Sequence, residues 1–132
     1  MLELFYPVVG AWNLVGSLLI IACVHEPLAN KIFHQWTYIF AHPYEHGKYG
    51  HIFILWVGGL NACLGAFMIL APGWDPAARA AVVISANIGY ATFLVLGILG
   101  LRSPNYGPGI PITIALWALL LAWGLAVLWQ GV

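Results

Sequence analysis

Along most of this chain apolar residues run on without the alternation of a strand or the one-sided stripe of a surface helix. Four such runs, 5–24 (FYPVVGAWNLVGSLLIIACV), 51–71 (HIFILWVGGLNACLGAFMILA), 79–101 (RAAVVISANIGYATFLVLGILGL) and 110–129 (IPITIALWALLLAWGLAVLW), are separated by polar or turn-forming stretches. Each holds about 20 residues, the length an α-helix needs to cross about 30 Å of hydrocarbon. The connections PGWDPAA and RSPNYGPG carry turn chemistry. Asp75 followed by Pro76 predicts a helix start with an acidic N-cap and proline at the first helical position. The first run reads as a retained span rather than a cleaved leader, because Glu3 stands where a basic leader would be and no small-x-small site precedes His25.

The segment between the first two runs has a different pattern. Leu28, Ile32, Phe33, Trp36, Ile39 and Phe40 recur at helical spacing, and Asn30, Lys31, His34, Gln35 and Tyr38 fill the other face. That predicts an amphipathic helix over 27–41, too short to span and suited to lying in the headgroup plane. HPYEHGKYG then brings Pro43, Gly47 and Gly50, which are expected to break this helix before the second span begins. The fold class expected is therefore all-α integral membrane protein. It comprises one membrane domain, 1–132, with four transmembrane helices in a bundle and an interfacial helix between the first and second.

Composition strengthens that reading. Hydrophobic residues make up 63% of the chain and charged residues 6%, against about 25% charged in a soluble domain. Four basic and four acidic residues give a formal net charge of zero, which offers nucleic acid no electrostatic footprint. Lys31, Lys48 and Arg102 fall on one side of the membrane and Arg79 on the other. The positive-inside rule then places the termini outside and the histidine-rich loop in the cytoplasm, as in a bacterial inner membrane. Trp74 and Trp129 on one side, with Trp36, Tyr38 and Tyr106 on the other, fit aromatic belts.

Depth along the spans brings three amides together. Asn13 and Asn87 each lie about 8 residues in from the terminal side and Asn61 about 10 from the matching end, so at about 1.5 Å per residue they share a layer roughly 3 Å thick near mid-membrane. An unpaired amide there is costly, so the three are expected to face inward, bonding to one another as a helix clamp or to a guest. Gly16, Ser17, Gly58, Gly59, Gly65, Ser85 and Gly89 beside them would let backbones approach closely. Cys23 lies at the inner end of its span and Cys63 about 18 Å along the second. That separation excludes an intrachain disulfide, which needs Cα atoms within about 7 Å. Both cysteines read as packing residues.

All five histidines fall between the first two spans. His25 and His51 end those spans at one depth and would face each other if the helices are neighbours. His42 and His46 are four apart, a metal-ligand spacing on a helical turn, with Glu45 between them. These residues make a haem, a metal ion or a quinone-type hydrogen bond candidate chemistry. The competing reading is that histidine, tyrosine and lysine beside a bilayer are headgroup-facing residues with apolar bodies and wet tips. No histidine lies inside a span, which counts against axial ligands stacked through a bundle core.

No nucleophile elbow, phosphate-cradling glycine loop, paired intramembrane carboxylates or CxxC is present in the sequence. Four spans, an amphipathic segment after the first, and small-residue-rich middle spans such as GGLNACLGAFMILAP resemble the layout of small DoxX-like bacterial membrane proteins. That resemblance is architectural and implies no role for any one residue. The expected function is a non-catalytic accessory or structural subunit of a larger membrane assembly, packing through aromatic and small-residue faces. Its partners would be lipids and other membrane subunits or copies of itself. One alternative is a histidine-ligated metal, haem or quinone redox subunit at the inner face. The other is a binder or carrier of a small lipophilic molecule held at Asn13, Asn61 and Asn87.

Overall fold

A computed structural model describes residues 2–24, 48–101 and 110–131. Within them lie four α-helices and no strand: α1 Leu2–Val24, α2 Lys48–Leu70, α3 Pro76–Gly100 and α4 Ile110–Trp129. A 3₁₀ turn, Ala71–Gly73, follows α2 directly. A helix covers each of the four apolar runs, α4 with its expected bounds. α1, α2 and α3 each start three residues earlier than the apolar runs suggest, because a helix runs on through flanking polar residues such as Glu3 and Lys48 and through the capped turn at Pro76. The interfacial helix expected over 27–41 lies outside the described residues. Gly50, expected to help break the chain ahead of the second span, instead sits in the first turn of α2. An end turn tolerates glycine because the first N–H groups have no intrahelical partner there anyway.

Local chemistry accounts for the ends. The Asp75 carboxylate accepts from the Ala77 and Ala78 amides, each at 3.0 Å, satisfying donors the first turn of α3 would leave open. Pro76 at the first helical position needs no donor. At the far end of the chain Gly131 takes φ 78°, the left-handed conformation that closes a helix, and its N–H donates to the Leu128 carbonyl.

The helices pack most extensively as two pairs, α1 with α2 and α3 with α4, with smaller contacts of α1 with α4 and of α2 with α3. One core draws on all four: Phe5, Tyr6 and Val9 from α1, Met68 from α2, Val83, Ala86 and Tyr90 from α3, and Leu120 and Val127 from α4. Phe5 packs edge-on against Trp123, with ring centroids 5.3 Å apart, and Phe93 stacks on Trp117 at 5.2 Å. Outside this core the helices turn large apolar side chains outward. Trp56 is 71% exposed, Leu60 74%, Ile112 71% and Leu119 68%. Water would not tolerate apolar faces of this extent. Among the described residues three stretches, Trp56–Gly73, Pro76–Leu99 and Pro111–Trp129, are long and apolar enough to cross a membrane. Such helices are the marks of an integral membrane protein.

Candidate functional site

The α1–α2 pairing puts backbone against backbone. A Cβ on Gly65 would lie 2.8 Å from the Gly10 carbonyl oxygen and 2.8 Å from the Leu14 nitrogen, and one on Gly10 would lie 2.9 Å from the Gly65 carbonyl oxygen. Only glycine fits on either side of this crossing, the use of small residues expected where helices associate in lipid. Helices α1 and α2 are thus neighbours.

Beside the crossing, Asn13 is 2% exposed. Its Nδ2 donates to the Val9 carbonyl one turn earlier at 2.8 Å and to the Tyr90 hydroxyl of α3 at 2.6 Å. The carbonyl can only accept, which fixes the orientation of the amide. Ser17, fully buried, donates to the Asn13 carbonyl at 2.5 Å. The result is a polar link from α1 to α3 inside the core.

The shared asparagine layer forms only in part. Asn13 and Asn87 are buried as expected, but they do not bond to each other: Asn13 is satisfied by Tyr90, and neither the nitrogen nor the oxygen of the Asn87 side chain has a hydrogen-bond partner. Asn87 lies instead against α4 at Gly124, where a Cβ would fall 2.1 Å from its Oδ1. The glycine thus leaves room for the amide. Asn61 is half-buried and bonds to neither of the other two. Residues nearly equal in depth can still point into different interfaces, because depth depends on position along a helix and facing on rotation about it. Tyr90, the partner that sequence reasoning missed, lies three residues after Asn87 on the same helix. A tyrosine at mid-span needs a polar partner, and that was the available signal.

The small residues divide in the same way. Gly65 and Ser17 serve contacts within the chain, as does Gly10. Gly16, Gly59 and Gly89 do not: among the described residues a Cβ at any of these three would meet no atom within 4 Å. Cys63 is a free thiol and is exposed, so it faces away from the core and is not the packing residue its hydropathy suggested.

The structure carries less for the histidine hypotheses. His51 lies in the first turn of α2, on one of two helices that pack together. His25, His42, Glu45 and His46 lie outside the described residues. Among the described residues no group of three or more His, Cys, Asp or Glu side chains is placed to hold a metal.

No family model, curated protein or solved structure matches this chain. The resemblance to DoxX-like proteins therefore rests on layout alone.

Proposed function

We propose that this is a four-span membrane protein, its helices forming one bundle, that serves as a non-catalytic subunit of a larger membrane assembly. α1 supplies the fourth span: its 23 residues give about 34 Å at about 1.5 Å per residue, and Glu3 in its first turn is its one charge. The excess of lysine and arginine on the side of the 25–50 loop orients the chain with termini outside, in a bacterial inner membrane.

The observation that carries the reading is the set of glycines with open space around them. Gly16, Gly59 and Gly89 lie on three different helices, yet the packing of the described residues against one another needs none of them. Glycine inside a helix costs about 1 kcal/mol relative to alanine. In a membrane, small residues bring helix backbones close to a neighbour's, so these positions suit contact with another chain. Large apolar side chains such as Leu60 and Ile88 flank them and would supply packing area to the same neighbour.

The test is native mass spectrometry from mild detergent, with identification of co-purifying chains, on wild type and on a Gly59→Leu/Gly89→Leu variant. The expected result is a complex larger than the single chain that the variant loses while its helix content stays unchanged. A wild type that is solely monomeric, or a variant that keeps the full complex, would refute the proposal.

One observation favours a second reading, a carrier of a small lipophilic molecule. The Asn87 amide is 7% exposed and has no partner, so a guest that both accepts and donates hydrogen bonds would satisfy it. Lipid extraction followed by mass spectrometry decides this. A stoichiometric small molecule lost on Asn87→Leu supports a carrier, and its absence removes that reading.

A further inference from the structure

The four helices carry one pattern twice. VVGAWN, residues 8–13 of α1, recurs as VVISAN, residues 82–87 of α3. In each, the second valine and the asparagine are buried: Val9 and Val83 fully, Asn13 and Asn87 nearly so. The partner helices repeat as well. Gly65 and Met68 in α2 have the same spacing as Gly124 and Val127 in α4, and all four are buried. From asparagine to glycine the first unit is longer than the second, by the length of the 27–41 segment. Recurrence of this kind, with extra chain confined to one connection, marks a duplicated structural unit.

The packing repeats with the residues. Position 65 lies against Asn13, whose Cβ is 3.2 Å from where a methyl on Gly65 would stand, and position 124 lies against the Asn87 amide. Each hairpin, α1–α2 and α3–α4, thus seats an asparagine of its first helix on a glycine of its second. Between the hairpins the main helix contacts are α1 with α4 and α2 with α3. Exchanging the two hairpins exchanges these two contacts. Elsewhere the hairpins differ, Trp12 being exposed where Ala86 is buried. In the proposed four-span topology α1 and α3 cross the membrane in the same direction. The exchange is then a rotation about the membrane normal, the relation between parallel repeats in other membrane proteins.

We propose that this protein is two copies of one helical hairpin in a single chain, and that residue 16 is the empty counterpart of Tyr90. An interface between equivalent units makes each contact twice, with the units exchanging roles. Asn13 donates to the hydroxyl of Tyr90, which stands three residues after Asn87. The exchanged contact would join Asn87 to the residue three after Asn13, which is Gly16. Glycine has no side-chain group to offer, and among the described residues a Cβ there would meet nothing within 4 Å. Two features then have one cause. The Asn87 amide has no partner because its tyrosine is missing, and the space at Gly16 is where that side chain would begin. The surface one hairpin presents to the other is a dimer interface carried inside one chain, and the partner it fits is a second hairpin of the same design. Neither an assembly partner nor a guest molecule is needed for this.

Restoring the ring at residue 16 tests the proposal. Gly16→Tyr and Gly16→Phe are compared in the full chain by reversible unfolding in mixed micelles, each with Asn87 intact and with Asn87→Leu. Phenylalanine supplies the ring without the hydroxyl, so the comparison isolates the bond. With Asn87 intact, the folding equilibrium should be about fivefold more favourable for Gly16→Tyr than for Gly16→Phe. With Asn87→Leu that advantage should vanish or reverse. A hydroxyl that adds nothing, or a gain that survives Asn87→Leu, overturns the proposal. Failure of both ring variants to fold does so equally, because the repeat requires room for a ring at this position.

Discussion

Gly65→Ala tests the backbone contact on which the α1–α2 pair depends. The added methyl would lie 2.8 Å from the Gly10 oxygen, 2.8 Å from the Leu14 nitrogen and 3.2 Å from Asn13 Cβ, all on α1. Two of these atoms are backbone and cannot rotate away. Restoring an ordinary contact of 3.4 Å requires α1 and α2 to separate locally by about 0.6 Å, and a gap of that size forfeits a quarter or more of the dispersion attraction of the atoms facing it. Overpacking of this kind costs about 1–3 kcal/mol. Alanine also gains about 1 kcal/mol of helix propensity over glycine, which would mask part of the effect.

Gly59→Ala supplies the correction, since it sits in the same helix with the same propensity gain and meets nothing within 4 Å. Reversible unfolding of the monomer by SDS in mixed micelles, compared between the two variants, isolates the steric cost. Gly59→Ala should be neutral to about 1 kcal/mol more stable than wild type, and Gly65→Ala about 1–3 kcal/mol less stable than Gly59→Ala. Equal stability of the two variants would refute the close α1–α2 crossing and the placement of Asn13 that depends on it.

Two further outcomes follow from the core. Gly124→Ala should destabilise the α3–α4 pair by forcing the Asn87 amide aside, and Asn87→Ala should relieve it. A double-mutant cycle in the same assay should show a coupling of about 0.5–3 kcal/mol, whereas simple additivity would contradict the contact. Asn13→Ala and Tyr90→Phe should each cost about 0.6–2 kcal/mol, with the double variant costing little more than the larger single. Fully additive losses in the same unfolding assay would mean that the two side chains do not share a bond.

The local features were legible in the sequence. Uninterrupted apolar length predicts helices because a chain in lipid must satisfy its backbone internally, and every run long enough to span is helical in the structure. Asp75 and Pro76 mark the start of α3 because capping depends on residues two or three apart. The burial of Asn13 and Asn87 was also accessible, since a mid-span amide has strong reason to avoid hydrocarbon.

Facing was decided only by the tertiary structure. In a soluble helix the polar stripe shows which side meets water, but lipid is as apolar as a protein core, so α4, apolar nearly all round, offers no such contrast. Gly59 and Gly65 look alike in the sequence, yet one faces outward and the other admits the backbone of α1. Asn13 and Asn87 look like partners by depth, yet rotation about their helices turns one toward Tyr90 and the other toward Gly124.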